Sequence, residues 1–132
     1  MVTGVLLPLW VLLSMLGTPL GLTPDQVQDK NVYVSTDEGR WMTGIACDWE
    51  LFPDGGTGWF ADHCGTLPPR TAVIYWRNVD PAVYGDDYIR YVVRHEVEHL
   101  LRGRDGPAND INNEAAAKAA GCSVAPGWWC DW

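Results

Sequence analysis

His95-Glu96-Val97-Glu98-His99 lies inside the run Asp86 to Arg102, DDYIRYVVRHEVEHLLR, and this stretch decides how the chain is read. Ile89, Val93, Val97 and Leu100 recur at helical spacing, with Leu101 widening the stripe. The period predicts an amphipathic helix over 86–102, stopped by Gly103 and Gly106-Pro107. His95 and His99 stand four residues apart, so their imidazoles leave one face of that helix about one turn apart. Rings so placed can both reach one Zn2+ at about 2.0–2.1 Å. Glu96 points about 100° round the helix from His95, outside the ligand set. From there it can take the proton of a water held by the ion. A solvated amphipathic helix with surface histidines is the plain alternative, but two of the chain's three histidines fall at this spacing.

Upstream, Thr71–Arg77 (TAVIYWR) is β-branched and aromatic and predicts the strongest strand, and Asn31–Ser35 (NVYVS) predicts a shorter one. Asp80-Pro81 supplies a helix cap and a first helical residue. Residues 36–70 hold Pro53-Asp54-Gly55-Gly56 and Pro68-Pro69 and predict loop with one or two short strands. Downstream, Asn109-Asp110 can cap a second, Ala-rich helix from Ile111 to Ala120, ending at Gly121. The whole reads as a small α+β domain, a short sheet packed on the His-bearing helix.

A catalytic zinc needs three protein ligands and an open position. Glu114, fifteen residues beyond His99, and Asp105, ten beyond His95, are the candidates. A ligand at 105 requires a sharp turn at a position where Arg102 stands in place of glycine, so Glu114 is preferred. Zinc with ligands His95, His99 and Glu114, and Glu96 as base, is the expected centre. His63 and Tyr75 are candidates for a group that stabilises an oxyanion, and the Thr71–Arg77 strand is a candidate to pair with an extended substrate.

Cys47, Cys64, Cys122 and Cys130 form an even set without a Cys-x-x-Cys pair, which predicts disulfides rather than a thiolate metal site. Of three possible connectivities, Cys47–Cys64 with Cys122–Cys130 is expected, because each closes a short loop rich in turn formers. Val5 to Leu16 is a run of apolar or small residues with the length of a signal-peptide core. Residues 1–22 are therefore expected to be a cleaved signal peptide or a membrane anchor, with a buried helix as the remaining reading, and 23–132 the folded domain. Membrane association is expected only if the leader stays.

The net charge is −8, from 17 acidic and 9 basic residues, with no Lys/Arg run. That balance excludes a phosphate-neutralising face and disfavours docking on anionic lipid. A monomer acting on a peptide or protein is expected. Eight tryptophans crowd the chain, among them Trp41, Trp49, Trp59, Trp128, Trp129 and Trp132. They support a second reading: a secreted, non-catalytic binding module with a tryptophan-rich surface and a zinc site.

His95-Glu96-Val97-Glu98-His99-Leu100-Leu101, a short Gly-containing loop, then Glu114-Ala115 on an Ala-rich helix together resemble the gluzincin metallopeptidases. The resemblance is greatest to their compact ImmA/IrrE-type branch. It covers about residues 86–121, with Ala119 also matching, while Ala116 stands where the family carries Asn or Asp and Lys118 where it carries an apolar residue. It implies a zincin-like fold, peptide-bond hydrolysis, zinc held by His95, His99 and Glu114, and Glu96 as the catalytic base. Members of this branch are mostly intracellular, so the apolar leader and the cysteines imply an exported relative.

Overall fold

The computed structural model describes residues 4–17, 20–36, 42–48, 64, 67–104, 111 and 113–131. Asp105, His63, Trp41, Trp49, Trp59, Trp132 and the loop glycine and proline at 106–107 lie outside the described residues. Four strands form one sheet: β1 (Gly4–Pro8), β2 (Asn31–Ser35), β3 (Gly44–Cys47) and β4 (Thr71–Tyr75), in the order β1-β2-β4-β3. β2 and β4 run parallel, and the outer strands pair antiparallel to them. Among the described residues the α-helices include α1 (Leu9–Leu16), α2 (Pro24–Val27), α3 (Pro81–Tyr84), α4 (Asp86–Arg104) and α5 (Glu114–Val124). The architecture is α+β.

β4 is interior, so all five of its residues are buried, as a continuous β-branched and aromatic run demands. Its alternation divides the core. Ile74 joins Val32 and the apolar stripe of α4, namely Ile89, Val93 and Val97 with Leu101, on one sheet face. Val73 and Tyr75 join Ile45, Cys47 and Cys64 on the other. The stripe read from the sequence is the stripe that is buried, each such residue contributing about 1.5–3 kcal/mol.

The expected strand over Thr71–Arg77 ends at Tyr75, where Trp76–Asn78 turns into a 3-10 helix. Because β4 has neighbours on both sides, it has no free edge for a substrate, which corrects that expectation; the outer strand on this side is β3. Asp80 caps the Pro81 helix as expected, its side chain accepting from the Ala82 N–H, but that helix is a single turn. Gly85, at φ +87°, separates it from α4. α5 starts at Glu114 rather than Ile111, with Asn113 as the capping residue, and runs through Gly121 to Val124. Gly121 does not terminate it. Any Cβ there would lie 2.6 Å from the Tyr91 ring, so this glycine lets α5 approach α4.

Residues 4–16, expected as a leader, are strand and helix of this fold. β1 pairs with the outer side of β2, and Leu9, Leu12 and Leu13 enter the main core. An uncharged run of this length, broken at Pro8, carries enough apolar surface for either fate, which is why its sequence reads both ways. No helix among the described residues is long and apolar enough to cross a membrane.

Disulfides join Cys47 to Cys64 and Cys122 to Cys130, the expected pairing, with Cα–Cα distances of 5.6 and 5.9 Å. Two such bridges fit an oxidising, extracytoplasmic environment.

Candidate metal centre

α4 lies between the sheet and α5, and the polar part of its surface faces the start of α5. There His95, His99 and Glu114 converge, their ligand atoms all within 4.8 Å of one another. The two imidazole Nε2 atoms are 3.3 Å apart. Glu114 reaches in from the exposed end of α5, with Oε2 3.1 Å from His95 Nε2 and Oε1 3.0 Å from His99 Nε2. Donors held about 2.0–2.1 Å from a tetrahedral ion lie roughly 3.3–3.4 Å from one another; the two Nε2 atoms stand at that distance, each facing a different oxygen of Glu114.

The protonation pattern points the same way. His99 Nδ1 faces the Ile111 carbonyl, which can only accept, so Nδ1 carries the proton. His99 Nε2 is thereby turned toward the Glu114 carboxylate and toward His95. Such a grouping is held together by a cation or by a proton shared among the three groups. Burial pulls the His95 pKa below the ordinary histidine range, against the attraction of Glu114, which favours the neutral, ligating imidazole. His95 Nδ1 is buried and has no hydrogen-bond partner among the described residues. The chain thus offers three donors of a kind that hold a divalent transition metal.

Glu96 stands beside the triad without belonging to it. It is 6% exposed, and its Oε1 lies 4.0 Å from His95 Nε2. Burial, with the Glu114 carboxylate adding to it, pushes its pKa up to about 8 in the metal-free protein. The other motif carboxylate, Glu98, is clamped away from the site by Arg94 at 2.9 Å and Arg102 at 3.0 Å.

A cleft of about 530 Å³ opens on this centre, lined by His95, Glu96 and Glu114 on one side and by Tyr88, Tyr91, Trp128 and Trp129 on another. Thr43, just ahead of β3, closes a third side. β3 comes so near that a Cβ on Gly44 would lie 2.8 Å from Glu96 Cγ. Tyr75, considered as an oxyanion group, is buried in the core on the far sheet face and does not line the cleft. Tyr91 does line it. Burial raises its pKa, with Tyr88, Glu114 and Glu96 adding to the shift, so its hydroxyl remains a hydrogen-bond donor.

Tyr88, Tyr91, Thr43 and Gly44 were not singled out from the sequence. The tyrosines could have been, since they precede His95 by seven and four residues and so share its helix face. Thr43 and Gly44 carry no comparable signal, because only the sheet order brings them to the site. No family model, curated protein or solved structure matches this chain.

Proposed function

We propose that this protein is an exported zinc metallopeptidase with a zincin-like arrangement of sheet and helices. Zinc would be held by His95, His99 and Glu114, and Glu96 would act as the base. One observation carries the reading: two imidazoles and a carboxylate converge within 4.8 Å of one another beside a buried carboxylate that is not one of them. A purely structural site has no use for such a neighbour.

Zinc, when bound, supplies a Lewis acid that polarises a carbonyl and brings the pKa of water toward about 7. The chain supplies the remainder. Glu96 Oε1 takes the proton of the attacking water and returns it to the leaving amine, which its position 4.0 Å from His95 Nε2 supports. The Ile111 carbonyl fixes the His99 ring through Nδ1. The Tyr91 hydroxyl is the cleft group suited to donate to a developing oxyanion. The outer edge of β3, beside Glu96, is where an extended peptide would add a strand.

Metal analysis of the intact protein, paired with hydrolysis of a general peptide library by wild type and Glu96→Gln, tests the proposal. One zinc per chain in both is expected, with turnover at least about 10²-fold lower in the variant. Equal turnover would remove Glu96 as the base. Zinc without hydrolysis in the wild type would leave the non-catalytic, tryptophan-rich binding module as the better reading, which the exposed Trp128 favours.

A further inference from the structure

Four aromatic rings run in unbroken contact from the surface to the metal centre. Trp128, 56% exposed, packs 5.6 Å from Tyr88, centroid to centroid. Tyr88 lies 5.0 Å from Trp129, which lies 5.8 Å from Tyr91, and the Tyr91 ring is 5.5 Å from that of His95. These spacings are those of favourable aromatic pairs. Val92 and Ala115 also line the cleft.

This wall is fastened in place. The Cys122–Cys130 bridge ties the tail carrying both tryptophans back onto α5, the helix that brings Glu114. The Trp129 indole N–H donates to the Ala125 carbonyl at 3.0 Å. Gly127 makes the fold-back possible, since a Cβ there would lie 2.4 Å from the Trp129 ring. A small domain that merely needed bulk would bury these rings. Here they line an open cleft of about 530 Å³, inside the roughly 300–1,000 Å³ common for ligand sites.

We infer that the Tyr88–Tyr91–Trp128–Trp129 wall is a specificity subsite that seats a bulky apolar or aromatic side chain of a peptide substrate next to the scissile bond. The inference rests on the metallopeptidase reading and adds the substrate class to it. Its chemistry follows from the lining: the polar wall faces the peptide group, and the aromatic wall faces a side chain that gains by leaving water. A cationic side chain would meet the same rings, but the apolar Val92 and Ala115 side chains offer it no hydrogen-bond acceptor.

The test uses the intact Glu96→Gln protein, with and without added zinc chloride. Calorimetric titration compares a blocked alanine pentapeptide with the same peptide carrying phenylalanine at its centre. Burying one aromatic side chain should tighten binding roughly 10–100-fold. Trp128→Ala should erase that preference with zinc content unchanged, and Trp128→Phe should keep most of it. Equal binding of the two peptides would overturn the subsite, as would a preference that survives Trp128→Ala. Hydrolysis by the wild type separates the two readings. Cleavage without aromatic preference sinks the subsite and leaves the peptidase; preferential binding with zinc bound but no cleavage sinks the peptidase and leaves the subsite.

Discussion

Gly44→Ala probes the catalytic reading without replacing a ligand or the base. The added methyl would lie 2.8 Å from Glu96 Cγ, 3.3 Å from its Cδ and 3.0 Å from the Val73 carbonyl oxygen. Against a carbon–carbon optimum of about 3.5–4.0 Å, the Cγ contact is short by roughly 0.7–1.2 Å. The Val73 oxygen belongs to the interior strand β4 and cannot retreat, so the Glu96 side chain must move. Alanine is otherwise acceptable in β3, since Gly44 does not occupy a positive φ. Misplacing a reacting group by about 1 Å can cost 10²-fold in rate. Gly44→Ala should therefore approach Glu96→Gln in its loss of kcat while keeping one zinc per chain, with overpacking lowering stability by about 1–3 kcal/mol. Steady-state hydrolysis of a library-selected peptide, metal analysis and denaturant unfolding read the three quantities. A Gly44→Ala protein with wild-type kcat would refute the argument that Glu96 works from one fixed position.

Glu114→Ala should weaken zinc binding strongly while Asp105→Ala leaves it nearly intact, as read by competition with a chromophoric chelator; the reverse order would reassign the third ligand. The metal-free protein should lose stability as pH rises. Glu96 has a folded pKa of about 8 against an ordinary value of 4.5, so the folded state holds the extra proton and the stabilisation present below pH 4.5 is lost through pH 8. Thermal melts in chelator should show this slope, and Glu96→Gln should flatten it; an unchanged slope would place its origin elsewhere. Cys122→Ser with Cys130→Ser opens a ring of sequence separation 8 and should cost about 2–3 kcal/mol in denaturant unfolding, with zinc retained. Loss of zinc in that variant would mean that the tail supports the triad as well as the aromatic wall.

The parts of this fold that were legible are those governed by local periodicity. The α4 stripe, the β2 run and the five-residue core of β4 carry period 3.6, period 2 and continuous burial in their own letters. The His95/His99 pair was legible for the same reason, being two positions on one helix. Glu114 required a guess about how two helices meet, and the structure brings it to the pair even though α5 starts three residues later than expected. What could not be read was contact between distant segments. Gly121 reads as a helix stop until Tyr91 is seen pressed against it, and Gly44 carries no signal until sheet order sets it over Glu96. The run from Val5 to Leu16 has the composition of a leader, and its pairing with β2 and its place in the core could not be read from those letters.

The bridge between Cys122 and Cys130 also gives the molecule a history. The three candidate metal donors sit on helices and need no oxidation to meet, whereas the bridge is the covalent tie that holds the tryptophan tail to α5. A newly made chain in a reducing compartment would hold the ion but lack a settled wall on which to seat a side chain. On the proposed peptidase reading, full competence would arrive only in an oxidising space, and an enzyme matured in that order would spare the proteins of the cell that makes it.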